Sequence, residues 1–227
     1  PDHLGWDAAF WLDYENDPLF TYTVPDAQDP LERKDVLVGN RVHGELVLAL
    51  AIFDWVQIGL DLPVLLYQSR DDAQAPELDR GTPLGTLGVG DIGLRPKIRV
   101  LRQLDGAPLD VAFIAPITFP TGQYADYFGE EGGTIAPGIA VSREFGNVRL
   151  AANLKHRFRD EATVLSLATG NELLYRAAIS YRFDLLVDRP TEVGLSLAGA
   201  SATSGDFRGD DSPSRNPLEA LVDVQHK

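Results

Sequence analysis

The chain has 227 residues, a formal net charge of -14 and an isoelectric point near 4.6. This acidity argues against nucleic acid as a partner, because binding to phosphates requires a basic surface. The chain contains no cysteine, which excludes disulfides, thiolate metal sites and cysteine nucleophiles. No apolar run reaches the length of about 18 residues that a transmembrane helix requires, although barrel strands escape this test because their hydrophobicity alternates.

Alternation of apolar and polar residues predicts about ten strands along the chain. The pattern is strongest in the segments 91–100, 147–158 and 173–185; in the last of these, Ala177 and Ile179 alternate with Ala178 and Ser180. Strands of about 9–13 residues have the length needed to cross a bilayer at a tilt. The predicted strands, in chain order, are 6–15, 41–52, 55–64, 91–100, 110–119, 135–142, 147–158, 173–185, 191–200 and 217–225.

The connections between these strands alternate in length. Short ones are predicted at 53–54, 104–107, 144–146 and 186–189, and long polar ones at 16–34, 68–86, 120–133, 160–171 and 203–215. Short turns at one end and long loops at the other are typical of an up-and-down antiparallel transmembrane β-barrel, with periplasmic turns and extracellular loops. Proline lacks the N–H that a strand ladder needs, so we expect local pairing to be disturbed at Pro63, Pro96, Pro116 and Pro137.

The two faces of the predicted strands differ in chemistry. One face is aliphatic, with aromatic residues near the strand ends, which is the arrangement of the aromatic girdles of outer-membrane barrels. The other face is charged, and an Arg or Lys facing lipid at mid-membrane would cost about 2–4 kcal/mol, so we expect this face to line the lumen. The predicted lumen-facing charged band consists of Arg95, Lys97, Arg99, Arg149, Lys155, Arg157, Arg176, Arg182, Asp7, Asp13, Glu45, Asp61 and Asp110.

No motif in the sequence predicts catalysis, a cofactor or a metal site. The glycine-rich segment 85–90 precedes a strand rather than a helix, so it lacks the helix N-terminus that phosphate binding uses. The four histidines, His3, His43, His156 and His226, show no metal-ligand spacing. The chain also lacks the Gly-x-Ser-x-Gly elbow of serine hydrolases. We therefore expect a protein that is not an enzyme.

Four segments resemble a known family of bacterial outer-membrane barrels. Residues 90–100 resemble its GD-x-x-L-x-x-K-x-R strand, and 120–122 its PTG motif at the rim of the next strand. Residues 61–67 resemble its DLPV-x-x-Y strand, and 16–19 the pattern of its first loop. The chain is therefore similar to the N-terminal barrel of OmpA-family proteins from myxobacteria and their relatives, and more distantly to transporter barrels of the phenol-degradation type.

This resemblance implies a single outer-membrane β-barrel domain over 1–227, in the cell outer membrane of a Gram-negative bacterium. The family's barrel has about two further strands, which would make twelve in all, so we expect the domain to be incomplete at its C-terminus. The implied partners are outer-membrane lipid and lipopolysaccharide, with other envelope proteins as further candidates. Peptidoglycan is implied only through a C-terminal domain that this sequence does not contain.

Three functions remain open at this point. The first is a membrane anchor or structural platform with at most a narrow pore, because small barrels are largely filled by side chains. It requires Asp7, Asp13, Glu45 and Asp61 to pair with the basic residues of the band. The second is a porin-like transporter of small anionic or hydrophobic solutes, with the basic band as its constriction. The third is a soluble β-barrel ligand-binding protein with the charged face turned to solvent.

Overall fold

The computed structural model describes residues 3–23, 32–71, 83–164, 167–183, 191–204 and 217–226. Within them the chain is almost entirely β-structure, and helix is limited to 3-10 turns at Gln103–Asp105 and Tyr124–Asp126. The strands are β1 (Trp6–Thr23), β2 (Glu32–Phe53), β3 (Val56–Ser69), β4 (Gly88–Val89), β5 (Ile92–Leu101), β6 (Asp110–Ile114), β7 (Ile117–Phe119), β8 (Thr134–Ile135), β9 (Gly138–Phe145), β10 (Val148–Arg157), β11 (Ala162–Val164), β12 (Leu167–Thr169), β13 (Glu172–Phe183), β14 (Thr191–Ala202) and β15 (Leu218–His226).

Thirteen of these strands form one sheet, and β11 and β12 form a separate hairpin. The main path of the sheet is β1-β2-β3-β5-β6-β9-β10-β13-β14-β15, in which neighbours along the chain are antiparallel neighbours in space. This confirms the predicted all-β, up-and-down antiparallel topology. In the part of the chain that the structure describes, no hydrogen bonds join β1 to β15, so the sheet is open between these edge strands.

The predicted short connections lie together at one end of the sheet, which we call the short-turn end. β2 ends at Phe53 and β3 begins at Val56, and β9 ends at Phe145 and β10 begins at Val148. Gly106 and Gly146 occupy positive φ angles of 93° and 60° in the turns that follow β5 and β9, a conformation that strongly favours glycine. The fourth predicted turn, 186–189, lies outside the described residues.

The first hairpin is longer than predicted. Residues 16–23 and 32–34 belong to strands, whereas the polar composition of 16–34 had indicated a loop. The chain passes Asp17 and Pro18 through a register shift, with Asp17 at a φ of 52°, and pairing then resumes at Leu19 opposite Val38. A bulge of this kind accommodates a proline, which has no N–H to donate, without ending the strand.

Two predicted strands are interrupted at prolines. The predicted strand 110–119 is divided into β6 and β7 on either side of Ala115 and Pro116, and the predicted strand 135–142 is divided into β8 and β9 around Pro137. β6 pairs with β9 and β7 pairs with β8, so each proline marks the point where the ladder shifts. The predicted loop 160–171 contains the β11–β12 hairpin, which the sequence pattern did not indicate.

The sheet has an apolar face that is largely exposed. Directly paired residues lie on the same side of a sheet, so the register row Leu150, Ile179, Leu195 and Val222 shows how this face runs from strand to strand. Ile179 is 48% exposed and Val222 is 73% exposed. The buried hydrophobic residues, by contrast, are few, and several lie near the long-loop end of β2 and β3. A continuous exposed apolar surface marks a site of contact with membrane or protein.

Candidate functional site

The opposite face of the sheet, which we call the charged face, carries the predicted charged band. One register row joins Asp7 through Ala49 and Gly59 to Arg95, across β1, β2, β3 and β5. Another joins Lys97 through Ile114 and Gly138 to Lys155, across β5, β6, β9 and β10. Alternation along each strand then places the remaining members of the band on the same face.

Several basic residues of the band form ion pairs with residues on the next strand of the sheet or on the strand beyond it. Arg95 forms an ion pair with Asp61 and a second one, at 3.3 Å, with Glu45. Arg157 pairs with Glu172 at 3.2 Å on the adjacent strand. Glu45 and Asp61 therefore compensate the charge of a basic residue, as the anchor hypothesis requires. They reach it along the sheet and do not have to cross a lumen.

Other members of the band have no such partner. Asp7 forms no ion pair with a described residue, and Asp13 only approaches His43, at 4.0 Å. Lys97 and Arg99 likewise form no ion pair with any carboxylate in the described ranges. Lys97 interacts electrostatically with Arg99 and Arg149, which repel it, and with Asp110, which attracts it.

The carboxylate of Asp110 is partly occupied by the backbone. It accepts a hydrogen bond of 3.0 Å from the backbone N–H of Gln103 and so fixes the turn after β5. The side chain of Gln103 in turn donates to the carbonyl oxygen of Glu144 and accepts from its N–H, at 2.8 and 2.9 Å. These bonds hold the β5–β6 turn against the β9–β10 turn. Asp110 is therefore a structural acid as well as a counter-charge for Lys97.

A cavity of about 570 Å³ lies above these turns on the charged face, and we call it the basic cavity. Its size falls in the range of about 300–1,000 Å³ that small-molecule sites occupy. Alanines at 112, 140 and 151 leave the space open because their side chains are short. Its charged lining residues are Lys97, Arg99, Arg102, Arg149, Asp110 and Glu144.

The basic cavity contains only part of the predicted band. Lys97, Arg99, Arg149 and Asp110 line it, whereas Asp7, Asp13, Glu45 and Asp61 lie on β1, β2 and β3, away from it. Arg102 was missed by the sequence analysis because it follows the last residue of β5, where strand alternation no longer assigns a face. A cation directly after a strand that already carries three cations on one face is the signal that would have identified it.

A second cluster of side chains lies on the charged face near the long loops. We call it the long-loop cluster, and it consists of Arg41, Gln68, Asp126, Tyr127 and Phe128. The side-chain amide of Gln68 is fully buried and donates to the carbonyl oxygens of Gly85 and Asp126 at 2.8 and 2.9 Å. The Arg41 guanidinium donates to the carbonyl oxygen of Tyr127 at 2.8 Å and lies 5.4 Å from the centre of the Phe128 ring.

The segment 120–133, predicted as a long loop, is thus fixed across the ends of β2 and β3. A further arginine, Arg159, secures its other side by pairing with Glu130 at 3.3 Å and with Glu172 at 2.7 Å. No sequence pattern predicts this cluster, because it joins residues far apart in the chain.

A model of the family described as "Putative MetA-pathway of phenol degradation" matches residues 35–217 of the chain. The chain belongs to this family. The more distant of the two predicted resemblances is therefore confirmed, and the match says nothing about OmpA-family proteins. Among curated proteins, no sequence matches the chain.

The described residues lack both a membrane-spanning helix and a metal site. None of the described helices is long and apolar enough to cross a membrane. The described residues also contain no group of three or more His, Cys, Asp or Glu side chains arranged to hold a metal ion.

We expect Gln68→Leu to release the long-loop cluster, because it removes the donor shared by two loop carbonyl oxygens. Leaving a buried acceptor without its donor costs about 1–3 kcal/mol. Urea unfolding of the purified protein measures this loss, and limited proteolysis of 120–133 reports on the loop itself. Gln57→Leu makes the same change on the same strand where no side-chain hydrogen bond is formed with a described residue. Equal destabilisation by the two variants would contradict the role assigned to Gln68.

Proposed function

We propose that the protein is an outer-membrane β-barrel of a Gram-negative cell that gives passage to small anionic solutes. Its apolar face supports the membrane location. Large side chains such as Ile179 and Leu195 are about half exposed and lie next to one another on adjacent strands. The soluble-protein hypothesis would leave this whole surface in water, which soluble monomers avoid. The apolar face instead suits outer-membrane lipid and lipopolysaccharide.

Closure of the sheet follows from the same proposal. An edge strand in hydrocarbon would leave N–H and C=O groups without partners, at a cost of several kcal/mol each. The edges β1 and β15 are therefore joined in the membrane, by each other or through further strands. The charged face then becomes the wall of a lumen, where Lys97 and Arg149 are hydrated and avoid lipid.

The passage of anions is supported chiefly by one observation, the presence of Lys97 and Arg99 in the basic cavity without a described ion-pair partner. Cationic side chains lining a water-filled constriction favour anions and repel cations. The fit of the family description to a transporter-like role is a second support. The solute passes without chemical change, so the proposal assigns the protein no enzymatic role.

Planar-bilayer recording of the purified chain tests this proposal. Under a potassium chloride gradient, we expect a steady conductance. Its reversal potential should lie closer to the equilibrium potential of chloride than to that of potassium. A cation-selective conductance would refute the proposed passage of anions, but it would still agree with a membrane barrel.

A second candidate function is the closed membrane anchor, and the long-loop cluster favours it. Gln68, Arg41 and Phe128 fix the segment 120–133 across one end of the charged face, which would narrow a lumen there. Barrels with few strands hold interiors that side chains largely fill. Complete absence of conductance from protein that is shown to be folded and inserted would favour this candidate.

The orientation in the membrane follows from loop length, with short turns on the periplasmic side. The chain has no cysteine, so Asp105→Cys and Glu131→Cys each introduce a unique label site. Both positions are exposed, the first in a short turn and the second in a long loop. We expect a membrane-impermeant maleimide to label intact cells at 131 and not at 105. The reverse result would invert the proposed orientation.

A further inference from the structure

The charges on the charged face are sorted by strand. Acidic residues prevail on five of the ten long strands, two at one edge of the sheet and three at the other, and basic residues prevail on the five strands between them. The first set, β14, β15, β1, β2 and β3, is called the acidic wall, and it carries Glu192, Glu219, Asp223, Asp7, Asp13, Glu15, Glu45 and Asp61 against Arg41. The second set, β5, β6, β9, β10 and β13, is called the basic wall, and it carries Arg95, Lys97, Arg99, Arg149, Lys155, Arg157, Arg176 and Arg182 against Asp110, Glu144 and Glu172.

Ion pairs between the walls join Arg95 to Asp61 and Glu45 at the border between β3 and β5, and the rest of the separation remains. In the basic wall, Lys155 experiences repulsion from Arg157, Arg95 and Arg176. Lys97 experiences the same from Arg99 and Arg149. The repulsive neighbours of each lysine therefore belong to its own wall, and the positive charge accumulates there.

The acidic wall keeps an excess of the opposite sign. The carboxylate of Asp13 is 61% exposed and lies 4.0 Å from the imidazole of His43. Glu15 pairs at 3.6 Å with Arg41, a basic residue of this same wall. Asp7 and Glu219 are exposed on the two edge strands.

The order of the strands determines where the two walls lie relative to each other. The acidic wall is made of both edges of the open sheet, with β14 and β15 at one edge and β1, β2 and β3 at the other. Joining those edges brings its two parts together, and the basic wall then lies opposite, across the lumen. With the edges joined directly, Asp7 and Asp13 on β1, the middle strand of the acidic wall, would face β9, the middle strand of the basic wall, and the cations of the adjoining strand β10.

We infer that the lumen orients and favours small zwitterions, with the solute's carboxylate towards the basic wall and its ammonium group towards the acidic wall. This inference rests on the proposed function. A simple anion is attracted by one wall and repelled by the other, whereas a zwitterion gains an attraction at each end. An acidic wall opposite a basic wall therefore favours the passage of amino-acid-like solutes.

Glycine and its uncharged isomer glycolamide provide the test, because the two have the same atoms and nearly the same size. Swelling of liposomes that contain the full chain measures how fast each solute enters. We expect glycine to enter about fivefold faster, the factor that one solvated charge contact of about 1 kcal/mol provides. Asp7→Asn with Asp13→Asn should reduce the ratio towards one. Asp54→Asn with Asp105→Asn removes the same charge from the short turns and should leave the ratio unchanged.

The outcomes separate this inference from the proposed function. Equal entry of the two isomers, together with anion-selective conductance in planar bilayers, would overturn the inference and leave the anion passage standing. A glycine preference that survives the Asp7 and Asp13 substitutions would overturn the role of the acidic wall. Failure of both isomers and of chloride to pass would overturn the inference and the proposed function together.

Discussion

Replacing Lys97 and Arg99 together by glutamine is expected to abolish the proposed preference for anions. Both side chains line the basic cavity, and neither has an ion-pair partner among the described carboxylates. Without these two cations, Asp110 and Glu144 make up a larger share of the charge in the cavity. The reversal potential should therefore move to zero or to the sign that indicates cation selectivity. Fields of this kind change local ion concentrations by on the order of tenfold or more, which sets the size of the expected change in permeability ratio.

The matched control for this pair is Arg143→Gln. Arg143 pairs in register with Leu150, so it lies on the apolar face, close to the ring of Phe145 near the short-turn end. Its loss removes a positive charge from the protein without changing the basic cavity, and the permeability ratio should stay as in the wild type. If the double variant retained full anion selectivity, Lys97 and Arg99 would not form the selective part of the lumen.

Ala177→Arg is expected to destabilise the folded protein by about 2–4 kcal/mol if the residue lies near the bilayer midplane. Ala177 stands in the middle of β13, where its register partners are Ala152 and Leu197 on the apolar face. In the proposed membrane barrel, an arginine there would face hydrocarbon, where the side chain must lose its hydration or deform the bilayer. Urea unfolding in lipid vesicles measures the free energy of unfolding for both the wild type and the variant.

The neighbouring residue supplies the control, because Ala178→Arg makes the same substitution one position along the strand. Successive side chains point to opposite faces, and Ala178 pairs with Ala151 and Ser196 on the charged face. The new arginine would then be hydrated in the lumen, at a much smaller cost. Equal losses for the two variants would mean that the faces are assigned wrongly or that the apolar face does not contact lipid.

The strand arrangement was predictable because it depends on local patterns. Alternation along 147–158 and 173–185 identified β10 and β13 to within a few residues, and the same alternation assigned Lys97 and Arg149 to one face. Turn length gave the up-and-down order of strands, because a connection of two or three residues can only join antiparallel neighbours. Alternation and turn length are properties of consecutive residues, so they can be recognised in the sequence alone.

The failures of prediction have equally specific causes. The extension of β1 beyond Asn16 depends on a bulge at Asp17 and Pro18 and on pairing with Val36 and Val38, and that partner segment was not part of any predicted strand. The division of 110–119 at Pro116 depends on which neighbour each half pairs with. Composition predicts a loop in the first case and only a weakened strand in the second.

The sequence by itself determined the all-β architecture and the alternation that separates an apolar from a charged face. Only the tertiary structure decided which of those charges neutralise one another. Arg95 is paired because β3 brings Asp61 beside it, and Lys97 is unpaired because its neighbours in the cavity are mostly cations. The long-loop cluster was likewise decided in three dimensions, since Gln68 and Asp126 are far apart in the chain. Coulomb and hydrogen-bond energies depend on distance in space, and strand register sets that distance.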